Sequence, residues 1–195
     1  PQPSARMLPS PLNKFLVMTG LAAHFPGSHF FGRADFSWWD HSHPRKVGWV
    51  VGAYFLIRRE LIDAIGLLDE RYFLYSEEID YCMAASKAGF DVMFFPHASV
   101  VHLGGQSVGA AKAPVSETGK QLISHRITSE FRYYRKWHGL SGVILSAGVE
   151  IFWRTVVLIK NLFSRSETAM IRRRESIAIA ILIVRTLILD RFGKG

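Results

Sequence analysis

From Trp49 onward the chain changes character every eight to twelve residues. WVVGAYFLI at 49–57 is a continuous apolar run and predicts a buried strand; RRELIDAIG has the spacing of a short helix stopped by Gly66. LLDERYFLY reads as an irregular connection. A second helix is predicted from Glu77 to Ala88, with Ser76 as its N-cap and Gly89 as its C′ residue. FDVMFFP and ASVVH then supply one or two further strands. Strands alternating with helices predict an α/β layer. Residues 1–46 carry six of the eight prolines and little periodicity, so they read as irregular, with a short helix over NKFLVMTGLAAHF and a loop at WWDHSHPRK. After a small, polar stretch at 104–119 the pattern turns helical: about 120–138, a break near Gly139, 140–163, and 170–191. No internal repeat is visible.

Charge divides the chain in the same place. Residues 1–119 hold 10 Lys+Arg against 11 Asp+Glu, whereas residues 120–195 hold 14 against 5. A basic tail suits nucleic acid or an anionic membrane surface, and the abundance of Leu, Ile and Val between its charges argues against nucleic acid. Its uninterrupted apolar runs are short of the roughly 20 residues a spanning helix requires. The tail therefore reads as interfacial helices, with RRR at 172–174 and RYYRK at 132–136 facing headgroups, or as helices packed on the rest of the protein. The single cysteine, Cys82, rules out an internal disulfide and reads as a small buried hydrophobe. The start, PQPSARMLP, shows no legible signal peptide, and the chain reads as the back part of a longer protein.

The candidate chemistry lies in YSEEIDYC, residues 75–82, where Glu77, Glu78 and Asp80 crowd together. Like charges this close need an offset. One is structural: acidic residues in a first helical turn are stabilised by the macrodipole by about 0.3 to 1 kcal/mol each. The other is chemical. On a helix starting at Glu77, residues 77 and 80 are neighbours while 78 and 80 diverge, so one carboxylate can face a cleft while others stay behind. Asp40, His41 and His43 in DHSH are ligand types at short spacing, yet they equally make a solvated turn. Trp38 and Trp39 suit either sugar stacking or a packed core.

The ordered text of residues 50–107 settles more than any one of these. It runs from VVGAYFLIRRE through GLLDERYFLYSEEIDYC to PHASVVHLGGQS. It resembles the second half of the catalytic domain of family 2 glycosyltransferases, bacterial rhamnosyltransferase-like enzymes in particular. FGRADFSWWDHSHPRKVGW resembles the segment preceding it. The resemblance implies a fold: the C-terminal part of a GT-A nucleotide-diphospho-sugar transferase over 1–115, followed at 116–195 by amphipathic or membrane-associated helices. It implies an inverting sugar transfer in which the second member of the acidic pair, Glu78, is the base, with Glu77 and Asp80 beside it in the catalytic cluster. A single inversion needs a carboxylate to take the acceptor hydroxyl's proton and needs no covalent nucleophile.

The resemblance further implies that Trp49, Gly52, Trp39 and Gln106 contact substrate. It makes His102 the metal- or diphosphate-contacting histidine, at a strand end where such groups gather in open α/β sheets. The expected cofactor is a divalent cation, Mg2+ or Mn2+, and the expected partners are a nucleotide-sugar donor, a saccharide or lipid-linked acceptor, and a membrane surface at the cytoplasmic face of the bacterial inner membrane. Two features depart from the family pattern. Position 84 is Ala where relatives often carry Arg, and no Asp-x-Asp occurs. The donor-binding half is therefore expected upstream, and this chain alone is expected to be inactive. Without a donor half the same residues would make a non-catalytic membrane-bound scaffold or a glycan-binding module.

Overall fold

The computed structural model describes residues 4–101 and 117–189, with side chains of the second segment from 121. The chain divides into two compact units, Pro1–Leu103 and Gly104–Gly195. His102 and Gln106 lie outside the described residues.

The first unit is built on two small antiparallel ladders. β1 (Ala5–Arg6) pairs with β3 (Trp49–Val50), Ala5 opposite Val50 and Arg6 opposite Trp49. β2 (Arg45–Lys46) pairs with β4 (Met93–Phe94), Arg45 opposite Phe94. Between them lies a core of Ala5, Phe36, Trp39 and Val47, with Met7, Trp38, Val50, Val92 and Phe94 packed against it. Gly48 is required where β1 crosses: a Cβ there would fall 2.3 Å from the Leu8 nitrogen, while its own N–H donates to Arg6 O at 2.8 Å.

Two expectations need correction here. The apolar run at 49–57 is strand only at Trp49–Val50; from Val51 it turns away, and Leu56 is 86% exposed. Apolar text cannot distinguish a buried strand from an apolar surface when no neighbouring strand is available to pair with it. Likewise β4 holds only two residues, and 98–101 forms no strand. The N-terminal helix is present but interrupted. α1 (Pro11–Met18) is capped by Ser10, whose hydroxyl accepts from Asn13 N at 3.1 Å. Gly20 at φ 79° then separates it from α2 (Leu21–His24). α3 (Arg59–Ile65) stops at Gly66, φ 81°, as its sequence predicts, and α4 (Glu77–Lys87) ends at Ala88 with Gly89 at φ 86°.

The second unit is helical. α5 (Glu117–Lys160) is broken at Gly139, the predicted position, where φ 66° and ψ −165° interrupt the helix. Its arms, 117–138 and 140–160, fold back on each other: Arg126 reaches Glu150 at 2.8 Å, and the Ser146 hydroxyl donates to Glu130. α6 (Glu167–Leu189) packs on α5. Arg173 joins them by donating to the carbonyls of Asn161 (3.2 Å) and Leu162 (2.6 Å), the unsatisfied end of α5. Ser129, Ser146, Glu150, Ser176 and Thr186 are buried, while Ile144, Leu145, Ile159, Phe163, Ile181 and Ile188 are exposed. By length and composition Gln121–Lys160 is apolar enough to cross a membrane, although the break at Gly139 divides it into two arms. Glu150 and Arg154, which interrupt its apolar runs, are ion-paired within the unit at 3.4 Å, and Glu150 is 2% exposed.

Candidate active site

α4 is held at three successive positions. Tyr72 donates its hydroxyl to Asp80 Oδ1 at 3.1 Å, both residues being buried. Burial, reinforced by the charge of Asp80, holds the Tyr72 phenol protonated well above its usual range. The Tyr81 hydroxyl donates to Gly66 O at 2.9 Å, tying α4 to the end of α3. Cys82 is 1% exposed beside the Val50 backbone, and burial pushes its thiol up to about 11. As its sequence suggests, this cysteine is a packed hydrophobe rather than a nucleophile.

The entry to α4 departs from the sequence expectation. Ser76 is the N-cap residue, yet its side chain makes no capping bond. Tyr75 and Ser76 instead occupy the left-handed region, at φ 68° and 70°. Two consecutive non-glycine residues there carry about 1 to 2 kcal/mol of strain each, of the kind that collects at functional sites. The Ser76 carbonyl still accepts the first helical bond, from Asp80 N at 2.9 Å.

This turn launches Glu77 and Glu78, both half-buried. Glu78 runs along Gly52 in the exposed turn after β3: a Cβ on Gly52 would lie 3.8 Å from each of Glu78 Cβ, Cγ and Cδ. Burial raises the Glu78 carboxyl above the ordinary glutamate range, and the neighbouring charge of Glu77 adds to it. Backbone N–H groups, those of Gly52 and Ile79 among them, pull the other way. One oxygen of each glutamate, Oε2, is buried without a hydrogen-bond partner among the described residues. Glu78 is thus a carboxylate made more basic than usual, with one buried acceptor atom unpartnered among the described residues, lying against the exposed Gly52 turn. Such a group can take a proton from a hydroxyl brought to the Gly52 turn.

The remaining sequence candidates fall elsewhere. Asp80 faces Tyr72, inside, while Glu78 faces Gly52, the divergence expected from helical spacing. Trp49 donates its indole N–H to Met7 O at 3.0 Å and is half-buried. Trp39 is core: 7% exposed, stacked on His41 at 4.4 Å, edge-on to Phe94 at 5.5 Å and with the Arg45 guanidinium 5.2 Å from its ring. So placed, it has no open face for a sugar. DHSH is a turn around that tryptophan, Asp40 accepting from Ser42 N (3.0 Å) and Ser42 Oγ (2.8 Å). Among the described residues no three His, Cys, Asp or Glu side chains converge on a possible cation site. What sequence reasoning missed is the Tyr72–Asp80 anchor and the left-handed pair; neither had a signal in the linear order, since Tyr72 lies in the irregular connection before α4.

The model of the family described as Glycosyltransferase like family 2 matches residues 17–119, more than half of the chain, and the chain belongs to that family. Membership implies the GT-A fold. A 65-residue stretch is 40% identical to N-acetylglucosaminyl-diphospho-decaprenol L-rhamnosyltransferase of Mycobacterium tuberculosis, strain CDC 1551 / Oshkosh, and equally to the protein of that name from strain ATCC 25618 / H37Rv. The stretch is 33% of this chain and 21% of each relative, so the match spans about a fifth of the relatives' length. No solved structure matches the chain.

Proposed function

We propose that the chain forms the acceptor side of a rhamnosyltransferase-like enzyme, with Glu78 as the base of an inverting transfer from a nucleotide-diphosphate sugar to a saccharide on a lipid-linked carrier. The observation that carries this reading is the Glu78–Gly52 juxtaposition: a basic carboxylate with an unpartnered oxygen at an open turn. The acceptor hydroxyl sits against the turn, Glu78 removes its proton as the oxygen attacks the anomeric carbon, and the nucleoside diphosphate leaves from the opposite face. Glu77, one residue earlier, raises the basicity of Glu78 by its charge and is available to an acceptor hydroxyl. Asp80 acts at one remove, as a positioning residue that fixes α4 through Tyr72.

The described residues do not by themselves form a cation site. The divalent cation and the donor's diphosphate belong, in this proposal, to groups outside them, His102 and an upstream donor-binding half among these. The relatives' name supports a lipid-linked acceptor, and the exposed apolar surface of the helical unit supports a place on the membrane, here assigned to the cytoplasmic face of the bacterial inner membrane. The test is transfer of labelled sugar from a panel of nucleotide-diphosphate sugars to a diphosphate-lipid saccharide, run on the 195-residue chain and on a longer form bearing the donor half. The proposal expects label in lipid only with the longer form. Transfer by the 195 residues alone would place the donor site within them and overturn the division of labour.

A further inference from the structure

Within the helical unit, between the second arm of α5 and the start of α6, lies a cavity of about 350 Å³ lined by Trp153, Arg154, Val157, Lys160, Asn161, Arg172, Glu175 and Ser176. The lining holds three cations against one carboxylate, one of the cations, Arg154, being paired with the buried Glu150 behind it, so that Lys160 and Arg172 face Glu175 with a surplus of one positive charge. Two of its polar atoms are buried without a hydrogen-bond partner among the described residues: Ser176 Oγ, on a residue 2% exposed, and Arg154 Nε. Arg154 spends Nη2 on Glu150 at 3.4 Å, which fixes the guanidinium while leaving Nε over. Lys160 Nζ stands 5.9 Å from the Trp153 ring centroid. Arg173 pins the connection at Asn161 and Leu162, so the rim is held in place. Buried donors without acceptors are costly, and a site that retains two of them beside surplus positive charge is complementary to an anion.

The surroundings say what carries that anion. Ile159, Leu162 and Phe163, flanking Lys160 and Asn161 in the chain, are 62%, 49% and 92% exposed, and Ile177 beside Ser176 is 48% exposed. These side chains do not line the cavity, but they put exposed apolar surface on the same helix ends, where a headgroup's acyl or prenyl chain can lie. The volume lies at the low end of ligand pockets, large enough for a headgroup and too small for a lipid.

We propose that this cavity binds the terminal phosphate of a lipid headgroup, with a preference for the dianionic phosphomonoester or diphosphate over a singly charged diester. Lys160 and Arg172 supply the charge, and Arg154 Nε and Ser176 Oγ supply directed donors. The inference deepens the proposed membrane location and is independent of Glu78.

The test is co-flotation of the full chain with phosphatidylcholine vesicles carrying either phosphatidate or phosphatidylserine at matched surface charge. Preference for phosphatidate is expected. Arg172→Gln, Lys160→Gln and Ser176→Ala should each lower phosphatidate affinity, about tenfold for the charged pair, because a charge-assisted hydrogen bond is lost. Arg185→Gln, which removes the same charge from the same helix well away from the cavity, should leave the preference intact. Thermal melting followed by circular dichroism confirms that each variant folds; Ser176→Ala removes an unpartnered hydroxyl and should not unfold. Equal binding to both vesicle types, or loss of preference in Arg185→Gln to the same extent, would overturn the site while leaving membrane association standing. Failure to float with either lipid would overturn both. Binding of inorganic pyrophosphate to the chain in solution, together with flotation on phosphatidate vesicles no better than on phosphatidylcholine alone, would overturn the lipid assignment in favour of a soluble anion.

Discussion

Replacing Ser76 separates the structure from its sequence more sharply than any other change. A serine before SEEID reads as a helix cap, and on that reading Ser76→Ala should cost about 1 kcal/mol while Ser76→Gly costs only a few tenths. In the structure the side chain makes no capping bond and the backbone sits at φ 70°. Alanine then loses nothing specific and keeps the strain, so its effect should stay within about 0.5 kcal/mol. Glycine relieves the left-handed strain, worth about 1 to 2 kcal/mol. Against this stands the extra freedom glycine gives the unfolded chain, about 0.4 to 1 kcal/mol. The difference is a net gain of about 0.5 to 1 kcal/mol, or a rise in Tm of about 1 to 4 °C for a chain of this size. Thermal melts and urea titrations of wild type, Ser76→Ala and Ser76→Gly measure it. If Ser76→Ala loses 1 kcal/mol or more and Ser76→Gly is no more stable than wild type, the cap is real and the strained entry to α4 is wrong.

Tyr72→Phe removes a hydrogen bond to a buried carboxylate and should cost about 1.5 to 3 kcal/mol in denaturant unfolding, more than Tyr54→Phe on the exposed turn. Cys82, with its thiol near 11, should resist an aromatic disulfide reagent at pH 8 and react at once when urea unfolds the protein. Glu78 holds its proton more tightly folded than unfolded, so the fold is favoured at low pH and loses stability as pH rises from the ordinary glutamate value through the raised one. Glu78→Gln should remove that fall, read as the difference in urea midpoints across the window.

How much was legible depended on whether a signal was local. Gly66, Gly89 and Gly139 announced helix ends because a left-handed residue at those places needs glycine, and all three have positive φ. The divergence of Glu78 from Asp80 followed from helical geometry alone. The stretch 49–57 failed because strand formation needs a partner, and the partner's length is written elsewhere, in the two residues of β1. Trp39 was open between sugar stacking and core; its neighbours His41, Arg45 and Phe94 decided, the last contributed from more than fifty residues away. The helical tail was judged by uninterrupted apolar runs, and Glu150 counted as an interruption. Its pairing with Arg126, across the Gly139 bend, was invisible in the linear order.

The central claim is that Glu78 takes the acceptor's proton. In the intact, donor-binding form of the enzyme, Glu78→Gln keeps the shape beside Gly52 and deletes only the proton acceptor. Removing a general base costs about 10²- to 10⁴-fold in rate. The expected result is a loss of that size in kcat, with nucleotide-sugar binding by calorimetry unchanged within about twofold, and a milder loss in Glu77→Gln. A Glu78→Gln enzyme that turns over within tenfold of wild type, or one whose defect lies wholly in donor binding, would contradict it.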